Sequence, residues 1–217
     1  MIYPSSLDEY WLILDISKYS KSMQLVNRRS LAGLLPSLLG YQTPQGNQCL
    51  SLPHAKQMIR RHCPIDFQRA VQESHTFFYR GESVSCPTIL NPPPDLLDPA
   101  TYGGDTDASR FFECLEDRFR NSPIRPSTGH IGTAKRSDAA FWGPPCSVWP
   151  LGISFAYMWP RESDLFYPGG RCDNQFVIDS GLVEAFHLQR EVMFASRSFL
   201  VIPELYEKEI WTIFENK

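Results

Sequence analysis

No C-x-x-C pair and no H-x-x-x-H spacing occurs in the 217 residues. The commonest local zinc-binding patterns are therefore missing, and no metal is expected. No apolar run approaches the length of a membrane span, so no membrane partner is expected. The opening residues, Met1-Ile2-Tyr3-Pro4-Ser5, lack a charged stretch followed by an apolar one, the pattern of a secretory leader. Positive charge is not in excess: 21 Lys and Arg face 24 Asp and Glu, for a net charge of −3. Composition thus does not favour strong non-specific binding to nucleic acid. No internal repeat or low-complexity tract interrupts the chain.

What is present is ordinary for a folded chain with a substantial core. Apolar residues make up 42% and charged residues 21%, and 14 Phe, 9 Tyr and 5 Trp supply bulk. The 18 prolines predict many loops and few long helices. The six cysteines, at 49, 63, 86, 114, 146 and 172, are expected to be mostly free thiols in a reducing compartment. The expected location is the cytoplasm, or the cytosol of a target cell if the protein is delivered there. Cys146 could serve as a nucleophile, but no Cys–His signature surrounds it. The five histidines are scattered and read as structural.

Residues 1–74 read as helical. Ser6-Leu7-Asp8-Glu9 has capping-box spacing, Ser30 to Leu35 stops by Gly40, a third helix starts near Ser51-Leu52-Pro53 and ends by Pro64, and a fourth runs from Ile65 to Glu73. A strand is expected over 75–79, a loop over 86–106, and a helix over 107–120 with Phe111, Phe112, Leu115 and Phe119 on one stripe. Residues 123–170 read as short strands and loops. Strands are expected at 175–178, 182–188, 191–194 and 198–202, and the tail from 204 to 214 fits a strand or a short helix. Helices first and strands later predict an α+β fold in a single domain over 1–217, with 75–217 as its strand-rich core.

Three short segments stand out. In Leu188-Gln189-Arg190-Glu191-Val192-Met193-Phe194, the two-residue spacing of Gln189 and Glu191 would put both on one strand face. An acid there is costly to bury unless it is paired or working. About 110 residues upstream, Phe77-Phe78-Tyr79-Arg80-Gly81-Glu82 ends an apolar strand in arginine and glycine. Arginine offers a fork for phosphate, and glycine permits close approach to the backbone. Between them lies Ser127-Thr128-Gly129. Taken singly, each has a plain structural reading: a paired arginine at a strand end, a serine-glycine turn, and an exposed strand face.

Their order resembles the mono-ADP-ribosyltransferases of the Arg–Ser–Glu class, which include Rho-modifying exoenzymes and pierisins. The resemblance covers roughly residues 75–202. It implies a two-sheet β core whose cleft takes NAD+ as co-substrate. Arg80 would bind the pyrophosphate, and the Gly81 backbone the nicotinamide carboxamide. Ser127, followed by Thr128, would orient Glu191, which stabilises the ribose cation as the glycosidic bond breaks. Phe141, Tyr157 or Trp142 would cover the nicotinamide. Gln189 would present its amide to the acceptor. Gln in place of Glu suits an Asn-like side chain or a nucleobase in DNA or RNA. The family's third hydroxyl is replaced by Gly129, and within the long aromatic stretch 144–170 neither 144–150 nor 158–162 has a family counterpart. A basic run, Arg118, Arg120, Arg125, Lys135 and Arg136, lies near the Ser-Thr turn and reads first as solvated surface. An active transferase of this kind would harm its own cell, which implies a toxin, a delivered effector or a phage-defence protein, with a neutralising antitoxin or immunity protein as partner. Phe77 to Gly81 is also similar to the motif that names the FRG domains, which act as interaction modules. A non-catalytic antitoxin or immunity factor is a further alternative.

Overall fold

The computed structural model describes residues 49–94, 106–161, 172 and 175–215. Contacts divide the chain into two units, Met1–Gln45 and Gly46–Lys217, and the fold below is that of the second. The helices expected near Ser6 and Ser30 lie outside the described residues.

Two helices open the unit, α1 (Leu52–His62) and α2 (Ile65–Ser74). Pro53 sits in the first turn of α1, where a missing N–H costs nothing, and Arg60, Arg61 and His62 face the negative end of the helix dipole. Ala55 and Ile59, four apart, bury one stripe of α1, while Phe67, Ala70 and Val71 do the same for α2. Phe67 meets Phe78, Trp149, Phe155 and Phe186 edge-on at 5.6–6.1 Å. That cluster pins α2 to the sheet.

The sheet contains β1 (Tyr79–Gly81), β2 (Thr88–Leu90), β3 (His130–Thr133), β4 (Pro145–Leu151), β5 (Ala156–Pro160), β6 (Phe176–Ile178), β7 (Glu191–Ala195) and β8 (Ser198–Pro203). Helix α3 (Thr106–Arg118) precedes β3, the one-turn α4 (Arg136–Ala139) follows it, α5 (Leu182–His187) precedes β7, and α6 (Glu207–Glu215) closes the described chain. The fold class is therefore α+β, as expected. All pairings are antiparallel, in the order β2-β8-β4-β1-β3-β7-β5-β6. The expected pair of separate sheets is replaced by one continuous ladder of eight strands among the described residues. That ladder is strongly curled. Strands β8 and β7 are four steps apart, or roughly 19 Å in a flat sheet. Yet Phe199 on β8 lies 5.6 Å from Phe194 on β7 and 5.1 Å from His130 on β3. The twist of the sheet folds its halves toward each other around these rings.

Two sequence expectations are corrected here. The strand expected over 182–188 is instead helix α5, Leu182–His187, followed by a turn, because Leu182, Ala185 and Phe186 bury at helical spacing against the core. Four of the six cysteines are bridged rather than free, as Cys49–Cys86 and Cys114–Cys172. The loops they close span 37 and 58 residues, so each restricts the unfolded chain by about 4 kcal/mol in the loop-entropy picture. Cys63 and Cys146 remain buried thiols. Burial holds the Cys63 pKa well above its usual value, and burial with the nearby Glu82 lifts Cys146 to about 11. Neither is an activated nucleophile. Among the described residues, no helix is long and apolar enough to cross a membrane, and no group of side chains is arranged to hold a metal ion.

Candidate functional site

Strands β1, β3 and β7 are consecutive neighbours, and their register forms a row in which Tyr79 pairs Thr133 and Thr133 pairs Glu191. Neighbouring strands stand about 4.8 Å apart, so Tyr79 and Glu191 are separated by roughly 10 Å across Thr133. Glu191 is the first residue of β7 and is half-buried. Paired residues in an antiparallel ladder point to the same face. Glu191 thus shares a face with Thr133, which is 5% exposed. The Thr133 Oγ1 accepts the Lys135 N–H at 2.9 Å, which leaves its own proton to donate.

Arg80 lies one residue along from that row, and the alternation of a strand turns it to the other, concave face. Its Nη1 donates to the Ile131 carbonyl at 2.8 Å, its Nε donates to Glu82 Oε1 at 3.1 Å, and its guanidinium carbon stands 5.5 Å from the Phe199 ring centre. The side chain is 15% exposed. Gly81 is glycine for a packing reason. A Cβ there would come within 2.3 Å of the Gly143 nitrogen and 2.7 Å of the Ala139 carbonyl oxygen. The turn after α4 presses directly on this strand.

Ser127 is not directed at Glu191. Its Oγ donates to Glu116 Oε1 at 2.7 Å, its N–H donates to Glu116 Oε2 at 2.9 Å, and Arg125 completes the group at 3.0 Å from Glu116. Serine and acid together tie the loop before β3 to α3. Thr128 closes the same loop, its hydroxyl accepting the Arg125 N–H at 3.2 Å. The hydroxyl in register with Glu191 is that of Thr133, six residues after Ser127 at the inconspicuous end of β3. Only strand pairing could have singled it out.

Gln189 is also displaced from its expected place. It does not share a strand face with Glu191, but sits in the turn after α5 with φ +54, exposed, its N–H bound to the Phe186 carbonyl at 3.0 Å. The left-handed conformation caps α5, a position usually held by glycine or asparagine. A side chain in this region costs on the order of 1 kcal/mol, and such strain clusters at functional turns. Of the three aromatics expected to cover a nicotinamide, Phe141 and Trp142 are exposed, at 80% and 47%. Tyr157 is buried on the sheet and stacks on Phe155 at 5.3 Å, with burial raising its pKa to about 12.

A second feature gave no sequence signal. A cleft of about 550 Å³ opens where α6 meets β1, walled by Phe77, Tyr79, Trp211 and Glu207. The Tyr79 hydroxyl lies 3.5 Å from Glu207 Oε2, and Glu207 Oε1 is buried without a hydrogen-bond partner. Arg136 is drawn away to Glu204. Burial, reinforced by Glu204 and opposed by Arg136 and the Tyr79 hydroxyl, lifts the Glu207 pKa from 4.5 to about 7. A raised carboxyl favours the protonated form in the fold. Stability from this group is therefore full below pH 4.5 and is lost as pH rises through 7. Unfolding free energy is expected to fall between pH 5 and pH 8 by about 2 kcal/mol more in the wild type than in Glu207→Gln, after allowance for partial solvation. Urea titrations of both proteins at the two pH values measure the difference.

Comparison with protein-family models, with curated proteins and with solved structures gives no match.

Proposed function

We propose that the unit formed by residues 46–217 transfers ADP-ribose from NAD+ to a macromolecular acceptor, with Glu191 as the catalytic carboxylate. The observation that supports this reading is the adjacency of β1, β3 and β7. Motifs about 110 residues apart in the chain come within two strand widths of each other. The two-sheet core that the resemblance implies corresponds, in this reading, to the two halves of the curled ladder.

The chemistry asks for few groups. The glycosidic bond of NAD+ breaks, nicotinamide leaves with the bonding pair, and C1′ of the ribose becomes cationic. A fixed carboxylate at Glu191 stabilises that charge. The acceptor nucleophile then bonds to C1′ and releases its proton. Thr133 takes the orienting role first expected of Ser127, because its hydroxyl is in register with Glu191. Gln189, exposed in the turn two residues earlier, faces whatever approaches from solvent. Its amide suits an amide or nucleobase acceptor. Arg80 is assigned the pyrophosphate, exchanging the Glu82 carboxylate for phosphate oxygens. Because Arg80 lies on the concave face, the dinucleotide would have to fold over the end of β3 to meet both residues.

Labelled NAD+ presented to separated protein, RNA and DNA fractions tests the reading. Label is expected in one fraction and absent from the others. No label in any fraction, with no heat on titration of NAD+, would remove the assignment.

A second reading has an observation of its own. Arg80 and Gly81 are both engaged in internal contacts, and Ser127 serves Glu116. A Phe-Phe-Tyr-Arg-Gly segment used to hold a core together fits an FRG-type interaction domain. Failure of NAD+ to shift the melting temperature favours that alternative.

A further inference from the structure

The two disulfides stand at the two ends of the ladder. Among the described residues, β2 and β6 are its outermost strands. Each has three residues and one partner strand, β8 for β2 and β5 for β6. A short outer strand makes few ladder bonds and opens at low cost. Cys86 lies two residues before β2, and Cys172 lies four residues before β6.

The Cys49–Cys86 bridge ties the entry of β2 to the chain leading into α1. There Cys49 pairs with Thr88 in a single antiparallel step, and the Leu50 N–H donates to the Pro87 carbonyl at 2.8 Å. The Cys114–Cys172 bridge ties the entry of β6 to α3. Arg118, at the end of α3, donates to the Cys172 carbonyl, and Phe119 meets Phe176 of β6 edge-on at 5.5 Å. Contacts other than sulfur therefore bring both pairs together, at Cα separations of 5.6 and 5.9 Å that a disulfide readily spans.

The six cysteines are sorted by exposure. Cys49 and Cys114 are exposed, Cys86 and Cys172 are half-buried, and all four are paired. Cys63 and Cys146 are 5% and 1% exposed, and both are thiols. Every cysteine outside the core is thus bridged. That pattern belongs to a chain that folds where thiols are oxidised, since exposed cysteines in a reducing compartment stay as thiols.

We propose that the two bridges are redox-sensitive clasps at the ends of the ladder: the protein matures in an oxidising compartment, and thiol reduction opens β2 and β6. Each clasp opens by exchange with a dithiol. One reductant thiolate bonds to a cysteine sulfur and displaces its partner as a thiolate, which takes up a proton. The second reductant thiol then closes the reductant's own disulfide and releases the other cysteine as a thiol. Two electrons pass to the protein for each bridge. The closed loops, 49–86 and 114–172, do not overlap, so their restrictions of the unfolded chain add. None of this depends on transferase chemistry.

The test uses the full chain, produced once in an oxidising compartment and once in a reducing one, with thiols counted by maleimide labelling of the denatured protein. Two thiols, those of Cys63 and Cys146, are expected in the oxidised preparation, and all six after dithiothreitol. Dithiothreitol should lower the melting temperature of the oxidised protein by at least about 10 °C, and the reducing-compartment preparation should melt with the reduced form. Amide exchange is read well below both melting temperatures. It should rise in β2 for Cys49→Ser with Cys86→Ser, and in β6 for Cys114→Ser with Cys172→Ser, while β1 and β3 stay protected. Where a variant is too unstable to measure, wild type titrated with dithiothreitol replaces it, and β2 and β6 must exchange before β1 and β3. Six thiols in the oxidised preparation, or a melting temperature unmoved by dithiothreitol, overturns the proposal. Exchange that rises in all strands together, or first in the centre of the ladder, overturns it as well.

Discussion

Glu191→Gln is expected to lower transfer from labelled NAD+ by at least about a hundredfold while leaving the melting temperature within a degree or two of wild type. The magnitude follows from the role. Removing one fixed group that stabilises charge developing in the transition state typically costs two to three powers of ten in rate. Glutamine keeps the shape but not the charge, and it turns one acceptor oxygen into a donor, so the loss should appear in kcat rather than in KM. The small effect on stability follows from position, since Glu191 opens β7 and is only half-buried. Thr133→Val is the companion variant. It removes the hydroxyl in register with the carboxylate and should lower kcat less, by about tenfold. Ser127→Ala should instead loosen the Glu116 contact and leave kcat near wild type. Full activity in Glu191→Gln would end the catalytic assignment, and a kcat loss in Ser127→Ala larger than in Thr133→Val would return the orienting role to Ser127.

Gly81→Ala is expected to destabilise the unit by about 3 kcal/mol, a fall in melting temperature of about 10 °C for a chain of this size. The added Cβ would meet the Gly143 nitrogen at 2.3 Å, the Trp142 carbonyl carbon at 2.4 Å and the Ala139 oxygen at 2.7 Å. All three are backbone atoms, which cannot rotate aside as a side chain would. The turn joining α4 to β4 would have to shift, and with it the Gly81–Pro145 pairing. Thermal unfolding decides between the two roles considered for this glycine. An unchanged melting temperature with a raised KM for NAD+ would show that Gly81 serves the ligand rather than the packing.

Much of the framework was legible in the order of the residues. Ser51-Leu52-Pro53 marks a helix start, and Ala55 and Ile59 at a spacing of four mark its buried stripe, so α1 and α2 lie where capping and period put them. The stripe of Phe112, Leu115 and Phe119 likewise locates α3 on the sheet. Residues 191–194 and 198–202 carry uninterrupted bulk and become β7 and β8, buried through their centres. The strand expected at 75–79 begins only at Tyr79, because His75 takes a left-handed turn to leave α2. For 182–188 a short apolar run satisfied both periods, and contact with Phe78 through the stacked Phe186 ring settled it as helix.

The chemistry of single residues was less legible, since it depends on what lies across the sheet. The α+β class, the helical stripes and the strands that carry Arg80 and Glu191 follow from the order of the residues, because these depend on local period and on side-chain bulk. Tertiary structure alone decided that Thr133 rather than Ser127 stands beside Glu191, that Arg80 turns to the concave face, that Gln189 caps a helix, and that four cysteines meet in pairs. Those facts rest on strand register and chain crossing. A one-residue shift in register would exchange the two faces of a strand without changing a letter of the sequence.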